Sequence, residues 1–74
     1  MFSYNKLWKI LIDKNMLRKD LMRSASITSS TMAKMSKGMP VSMDVLARIC
    51  CSLSCNIGEI VDYVGTRQIG EAAN

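Results

Sequence analysis

Apolar residues recur at spacings of three and four along most of this chain, and polar or turn-forming residues separate the periodic segments. The first predicted helix covers about Tyr4 to Asn15, where one apolar face comprises Tyr4, Leu7, Trp8, Leu11 and Ile12. Trp8 lies within that apolar stripe, so it is interpreted as a residue that anchors the core. This spacing predicts a helix that packs one face against the rest of the domain.

Two further helices are predicted on either side of a tight turn. One covers about Arg18 to Ala25, and Ser26 and Ile27 form the turn. Thr28 has the hydroxyl of a good N-cap for the next helix, which extends to Lys37. That helix stops at Gly38, because glycine readily adopts the left-handed conformation of a helix end.

The second half of the chain predicts two more helices after the break at Gly38-Met39-Pro40. A fourth helix over about Met43 to Ser54 follows the N-cap Ser42, and its apolar stripe comprises Leu46, Ile49, Cys50 and Leu53. Asn56 and Glu59 have capping-box spacing before a fifth helix, about Ile57 to Val64, whose buried or partner-facing stripe is Ile57, Ile60, Val61 and Val64. The expected organisation is one domain over residues 1–64 and a flexible tail over residues 65–74.

Composition favours a helical bundle, because 49% of the 74 residues are hydrophobic and only four are Gly and one is Pro. The net charge of +4 is unevenly distributed. Residues 1–40 have eight basic and two acidic residues, whereas residues 41–74 have two basic and four acidic ones. A basic half suits a phosphate-facing surface, although a merely solvated basic face has the same composition.

The three cysteines, Cys50, Cys51 and Cys55, need not pair in a reducing cytoplasm. Without His or a CxxC pair their spacing is poor for zinc, and no metal or other cofactor is expected. Cys50 belongs to the core stripe, Cys55 is expected beneath the fifth helix, and Cys51 is expected to be exposed and oxidisable. No apolar stretch approaches the roughly 20 residues that cross a bilayer, so a cytoplasmic protein without a membrane partner is expected.

The segment from Arg18 to Gly38, RKDLMRSASITSSTMAKMSKG, combines two faces of different chemistry. Its apolar positions are Leu21, Ala25, Ile27, Met32 and Met35, and the positions between them include Arg18, Lys19, Arg23, Ser29, Ser30, Lys34 and Lys37. One face can hold a pair of crossed helices on the domain while the other meets a polyanion. This pattern predicts a helix-turn-helix that binds double-stranded DNA.

The order of the five segments resembles the Cro/C1-type helix-turn-helix domain of phage repressors and small bacterial regulators. The resemblance covers about Tyr4 to Val64 and rests on YNKLWKILIDKNM, KDL, ITSSTMAKMSKG, VSMDVLARIC and CNIGEIVDYV. It implies an all-α, lambda-repressor-like fold of five helices with the helix-turn-helix at helices 2 and 3. Two positions depart from the family: Ser26 replaces the usual turn Gly and is expected at positive φ, and Met22 replaces Ala in the helix–helix contact.

The resemblance implies that Ser29, Ser30 and Lys34 face base edges in the major groove, with Thr28 at the mouth of the recognition helix. It also implies phosphate contacts from Arg18 and from Lys37. Lys34 is the expected base reader, because an ammonium donates to O6 and N7 of guanine, a contact that discriminates by about 1–3 kcal/mol. The alternative for the Ser and Thr residues is that they merely start a helix.

Arg18, Lys19 and Arg23 are less specific, and at least one of the three is expected to contact phosphate. Arg18 and Lys19 are the residues predicted for this role, because Arg23 has the spacing to pair with Asp20 instead. Ala33 is small enough to let the helix approach the bases and to touch a thymine methyl group.

The preferred function is a sequence-specific transcriptional regulator, either a repressor or an activator, that acts as a homodimer on half-sites about 34 Å apart. The fifth helix and the tail are the expected dimer surface, because they follow the DNA-reading unit and are less basic. The alternative is a protein-interaction module, or an antitoxin-like partner protein, with the same fold. No catalytic set is present, since the chain has no His and no Gly-rich phosphate loop, so an enzyme is not expected.

Overall fold

The computed structural model describes residues 1–65 as four α-helices, one 3-10 turn and a two-stranded antiparallel ribbon. The elements in chain order are β1 (Phe2–Ser3), α1 (Asn5–Asp13), α2 (Arg18–Ala25), α3 (Ser29–Ser36), α4 (Met43–Leu53), the 3-10 turn (Ile57–Glu59) and β2 (Asp62–Tyr63). The predicted tail lies outside the described residues apart from Gly65. The sequence predicted an all-α class, and the structure is predominantly helical with a short two-stranded ribbon in addition.

Each of the four α-helices ends in the same way. One or two positions after its last residue, each helix is followed by a residue in the left-handed conformation. These residues are Asn15, Ser26, Gly38 and Ser54. The next amide then donates to a carbonyl five residues back, in the bonds Met16 to Leu11, Ile27 to Met22, Met39 to Lys34 and Cys55 to Cys50. This closure is the Schellman motif, which satisfies carbonyl groups that the helix leaves free. It explains why the first helix ends before Asn15.

The N-caps predicted at Thr28 and Ser42 are confirmed. The Thr28 hydroxyl accepts from the amide of Thr31 at 3.2 Å, and the Ser42 hydroxyl accepts from the amide of Val45 at 3.2 Å. Both caps satisfy an amide that has no partner inside its helix. These two bonds place the starts of α3 and α4 where the sequence predicted them.

The core contains residues from all four helices and from the segment that follows them. Its buried members are Tyr4, Leu7, Leu11, Leu21, Ala25, Ile27, Met32, Met35, Val45, Leu46, Ile49, Leu53 and Ile60. Ile12 is an exception to the predicted apolar face, since it is 72% exposed. At about 100° per residue, Ile12 lies too far around α1 from Leu7 to reach the core. Trp8 is only half-buried, at the edge of the same face.

The fifth helix predicted over Ile57 to Val64 is not an α-helix. Residues Ile57–Glu59 form a single 3-10 turn, and the chain then extends into β2. The Glu59 carboxylate accepts from the Asn56 amide at 2.7 Å, so this half of the predicted capping box is present. Gly58 disfavours a longer helix, and the β-branched residues beyond it suit an extended chain.

The ribbon explains why the chain extends after this turn. β1 and β2 pair antiparallel, with Phe2 opposite Tyr63 and Ser3 opposite Asp62. The two aromatic rings meet edge to face, with centroids 5.6 Å apart. Lys6 on α1 donates to the Gly58 carbonyl and pairs with Asp62, each at 3.0 Å. The backbone of residues 62–64 therefore finds its partners at the start of the chain instead of in a helix.

Among the residues that the structure describes, no helix combines the length and the apolar character needed to cross a bilayer.

Candidate nucleic-acid interface

The turn between α2 and α3 has the backbone conformation expected for a helix-turn-helix with a non-glycine residue. Ser26 is left-handed at φ 56° and ψ 51°, as predicted, and Ile27 continues from it into the core at 6% exposure. Thr28 is extended and begins α3. The buried side of the pair comprises the predicted residues, Leu21, Ala25, Ile27, Met32 and Met35. Met22 is half-buried against this cluster, which accommodates its longer side chain.

Arg48 on α4 stabilises this turn, a role that sequence reasoning missed. Its guanidinium donates to the Ser26 carbonyl at 2.7 Å and pairs with Asp44 at 3.0 Å. The Ser26 carbonyl is therefore satisfied at the point where α2 ends. The four-residue spacing of Asp44 and Arg48 on one helix permits their ion pair, but nothing in the local sequence signals the contact of Arg48 with the turn.

The outer face of α3 exposes small polar residues and two lysines. Ser29, Ser30, Ala33, Lys34 and Lys37 are all exposed. Within residues 1–65, the side chains of Ser29 and Lys34 form no hydrogen bond. Lys37 follows the last residue of the helix, and its backbone amide closes the final turn. The structure thus brings the predicted α3 residues together on one accessible surface.

Thr28 is exposed as well, but its hydroxyl is engaged at the start of the helix. Besides accepting from the Thr31 amide, it donates to the Thr31 hydroxyl at 3.1 Å and lies 3.1 Å from the Ser30 hydroxyl. The capping role that the sequence allowed for these Ser and Thr residues is therefore present at Thr28. Among the predicted α3 site residues, Ser29 and Lys34 have the side chains most available to a ligand.

Arg18, the first residue of α2, links this helix to α1 and α3. Its guanidinium carbon is 3.9 Å from the centre of the Trp8 ring, and its nitrogen donates to the Ser36 hydroxyl at 2.6 Å. Ser36 donates in turn to the Met32 carbonyl at 3.1 Å. A stacked and hydrogen-bonded guanidinium loses less conformational freedom when it binds a phosphate. The exposed face of Trp8 thus positions a cation beside the end of α3.

The remaining cations of the helix pair are exposed. Arg23 does not pair with Asp20, whose carboxylate accepts instead from the Leu17 amide at 2.8 Å. Lys19, Arg23 and Lys37 form no ion pair with any residue in 1–65. Asp20 is the one acidic residue between Arg18 and Gly38. The surface around α2 and α3 is therefore strongly positive, as a phosphate backbone requires.

Two side chains in the described part of the chain have clearly shifted pKa values, and neither lies on this surface. Burial raises the pKa of the Tyr4 phenol, and burial together with the neighbouring Cys50 raises the pKa of the Cys55 thiol. Residues 1–65 contain no group of three or more Cys, Asp or Glu side chains arranged to hold a metal ion. The arrangement suits recognition of an anion by cationic and hydroxyl side chains.

Comparison with known proteins agrees with this geometry. The sequence profile of the Cro/C1-type HTH DNA-binding domain matches residues 6–65. A crystal structure of the transcriptional regulator VanUg, Form II, is 42% identical, with a TM-score of 0.84, over 88% of this chain and 87% of that chain. No curated protein sequence is significantly similar.

Proposed function

Because the chain belongs to the Cro/C1-type helix-turn-helix DNA-binding domain family, we propose that it is a transcriptional regulator that reads specific DNA sequences with α3. The exposed face of α3 carries this proposal, since it presents Ser29, Ser30 and Lys34 on a helix supported at both ends. Arg48 supports its beginning through the turn, and Arg18 supports its end through Ser36. The similarity to a transcriptional regulator supports a role in binding DNA, not in catalysis.

The proposed division of labour follows the chemistry of each side chain. Lys34 reads a guanine and the Ser29 and Ser30 hydroxyls accept or donate to neighbouring bases. Arg18, Lys19 and Lys37 contact phosphates and set the register of the helix on the duplex. Thr28 contributes by holding the start of α3, and its exposed position leaves it within reach of the groove.

Selection from a random pool of DNA duplexes tests base reading. The wild type is expected to enrich a motif, and the triple variant Ser29→Ala/Ser30→Ala/Lys34→Ala is expected to enrich none. Lys9→Ala is the matched control for a lost positive charge, because Lys9 is exposed on α1 beside Asp13 and Glu59 rather than beside α3. Enrichment of the same motif by the triple variant would contradict the proposal.

The salt dependence of binding separates phosphate contacts from base contacts. Arg18→Ala and Lys37→Ala are each expected to weaken binding to all sequences and to reduce the salt slope by about 1. Lys34→Ala is expected to reduce discrimination at one base pair by about 1–3 kcal/mol. An equal loss on every sequence would make Lys34 a phosphate contact instead.

We also propose that the protein acts as a homodimer through a surface called here the apolar groove. This groove has a volume of about 260 Å³ and is lined by Phe2, Tyr4, Pro40, Val41, Met43, Leu46, Ile57, Gly58 and Val61. It includes residues of the predicted dimer segment, and the exposed Tyr63 lies beside it on the ribbon, with its ring against that of Phe2. Residues 41–65 have three acidic residues and one basic residue, so two copies can meet here without bringing their basic surfaces together. The bacterial, cytoplasmic setting stays a prediction.

A further inference from the structure

The C-terminal end of α4 differs chemically from the other helix ends. The Schellman closure frequently brings the side chains of the two bonded residues into contact, although at α3 the pair is the exposed Lys34 and Met39. At α1 and α2 these pairs are Leu11 with Met16 and Met22 with Ile27, which are ordinary core contacts. At α4 the pair is Cys50 and Cys55. The backbone thus brings two thiols together across the helix end.

Several features of the structure place the Cys50 and Cys55 thiols close together. The Cys55 amide donates to the Cys50 carbonyl at 3.1 Å, around the left-handed Ser54. Both side chains are half-buried against the core, and both line the same cavity. Cys51 is the adjacent residue on the helix, about 100° away from Cys50, and it is exposed. Position in the fold therefore distinguishes one pair among the three thiols.

Solvent reaches this pair through an open cavity of about 360 Å³. Its walls comprise Cys50, Cys51, Ser54, Cys55, Asn56 and Glu59. A small oxidant can enter a cavity of that size, whereas a protein thiol cannot reach a half-buried sulfur as easily. The site thus favours a reaction within the chain over cross-linking between chains.

We propose that Cys50 and Cys55 form a dithiol site that hydroperoxides oxidise to an intramolecular disulfide. The Cys50 thiol first loses its proton to solvent, and the thiolate attacks a peroxide oxygen. The O–O bond breaks, which gives a sulfenic acid on Cys50 and releases hydroxide, or an alkoxide from an organic hydroperoxide. The Cys55 sulfur then attacks the Cys50 sulfur, the S–O bond breaks, and the Cys55 proton leaves with the hydroxyl group as water.

In total, the two sulfurs lose two electrons and the peroxide gains them. Burial and the neighbouring Cys50 raise the pKa of the Cys55 thiol, which leaves less of it as the reactive thiolate, so the first attack on peroxide is assigned to Cys50. A thiol reductant restores both cysteines by exchange.

Hydrogen peroxide titration of the reduced protein tests the site, with mass spectrometry of the intact chain before and after alkylation. The wild type and Cys51→Ser are each expected to lose 2 Da as monomers and two alkylatable thiols, and to regain them with dithiothreitol. Cys50→Ser and Cys55→Ser are expected to give no 2-Da loss as monomers. Their remaining exposed Cys51 is expected to give covalent dimers or higher oxides instead.

Two results would overturn the proposal. One is a monomeric 2-Da loss in Cys50→Ser or in Cys55→Ser, which would assign the bond to a pair that includes Cys51. The other is the absence of a 2-Da loss in monomeric Cys51→Ser. Circular dichroism checks that each variant folds. If Cys50→Ser or Cys55→Ser does not fold, fragmentation spectra of the oxidised Cys51→Ser protein locate the disulfide bond directly.

Discussion

Several side chains in this domain hold two parts of the fold at once. Tyr4 is 3% exposed, and its hydroxyl donates to the Met39 carbonyl at 2.8 Å, between α3 and α4. Arg48 binds the Ser26 carbonyl just before α3, and Arg18 binds the Ser36 hydroxyl at the end of α3. In each case a long side chain satisfies a polar group far along the chain while its stem or ring packs against neighbours. Stability and the shape of the proposed interface therefore depend on the same few residues.

The buried phenol of Tyr4 predicts a dependence of stability on alkaline pH. Burial raises its pKa above the ordinary value of about 10, so the folded state favours the protonated phenol. This stabilisation is complete below pH 10 and is lost as the pH rises through the pKa of the folded state. Tyr4→Phe is expected to cost about 1 kcal/mol at pH 7, through the lost hydrogen bond, and clearly less at pH 10.5.

Urea unfolding at both pH values measures this difference. Tyr63→Phe is the control, because Tyr63 is 63% exposed and forms no hydrogen bond through its hydroxyl group with other residues in 1–65. It is expected to follow the wild type at both pH values. An equal cost of Tyr4→Phe at pH 7 and pH 10.5 would contradict the argument.

At the scale of the elements, the left-handed residues decide where helices stop. Asn15, Ser26 and Ser54 adopt this conformation without being glycine, at φ values between 54° and 56°. Asn tolerates it best among them, and the two serines have small side chains. Gly38 differs because space as well as φ restricts it, since a Cβ there would lie 2.6 Å from the Phe2 carbonyl oxygen.

Gly38→Ala is therefore expected to destabilise the domain by at least about 1–2 kcal/mol. The backbone at φ 73° disfavours a side chain, and the new methyl group would displace β1, whose Phe2 amide donates to the Gly38 carbonyl at 3.0 Å. Gly58→Ala is the matched control, because a Cβ there meets no atom within 4 Å. Urea unfolding of both variants makes the comparison, and equal losses would refute this account of Gly38.

At the scale of the whole molecule, charge and apolar surface are separated along the chain. The cations of α2 and α3 surround the proposed DNA surface, while the apolar groove is formed by the ends of the described chain and the start of α4. A contiguous exposed apolar surface of this kind commonly marks an interface. The separation would allow one face to bind DNA while the other binds a second copy.

Met43→Glu tests the proposed dimer, because Met43 lines the groove and is 69% exposed, so the fold tolerates the change. Sedimentation equilibrium is expected to show dimers of the wild type and at least tenfold weaker association of the variant. Ile12→Glu is the control, since Ile12 is 72% exposed and lies outside the groove. A wild type that stays monomeric with and without DNA would contradict the proposed homodimer. Binding of another protein at the apolar groove would favour the alternative function, a protein-interaction module.

Much of the fold could be predicted because its signals are local. The bounds of α2, the caps at Thr28 and Ser42, the left-handed Ser26 and Gly38, and the buried Met32 and Met35 all follow from nearby residues. The exposure of Ser29, Ser30 and Lys34 followed from the same helical spacing. Their contacts with bases remain predictions, since base reading depends on how a duplex meets this surface.

Four helices, the helix-turn-helix and its basic surface follow from the order of the residues, because helices depend on bonds between residues a few positions apart. The tertiary structure sets the conformation of residues 57–64, since β2 depends on a partner strand at the opposite end of the described chain. It also decided the contacts of Arg48 with the turn and of Arg18 with Trp8 and Ser36. Each joins separate elements, so no local pattern encodes it.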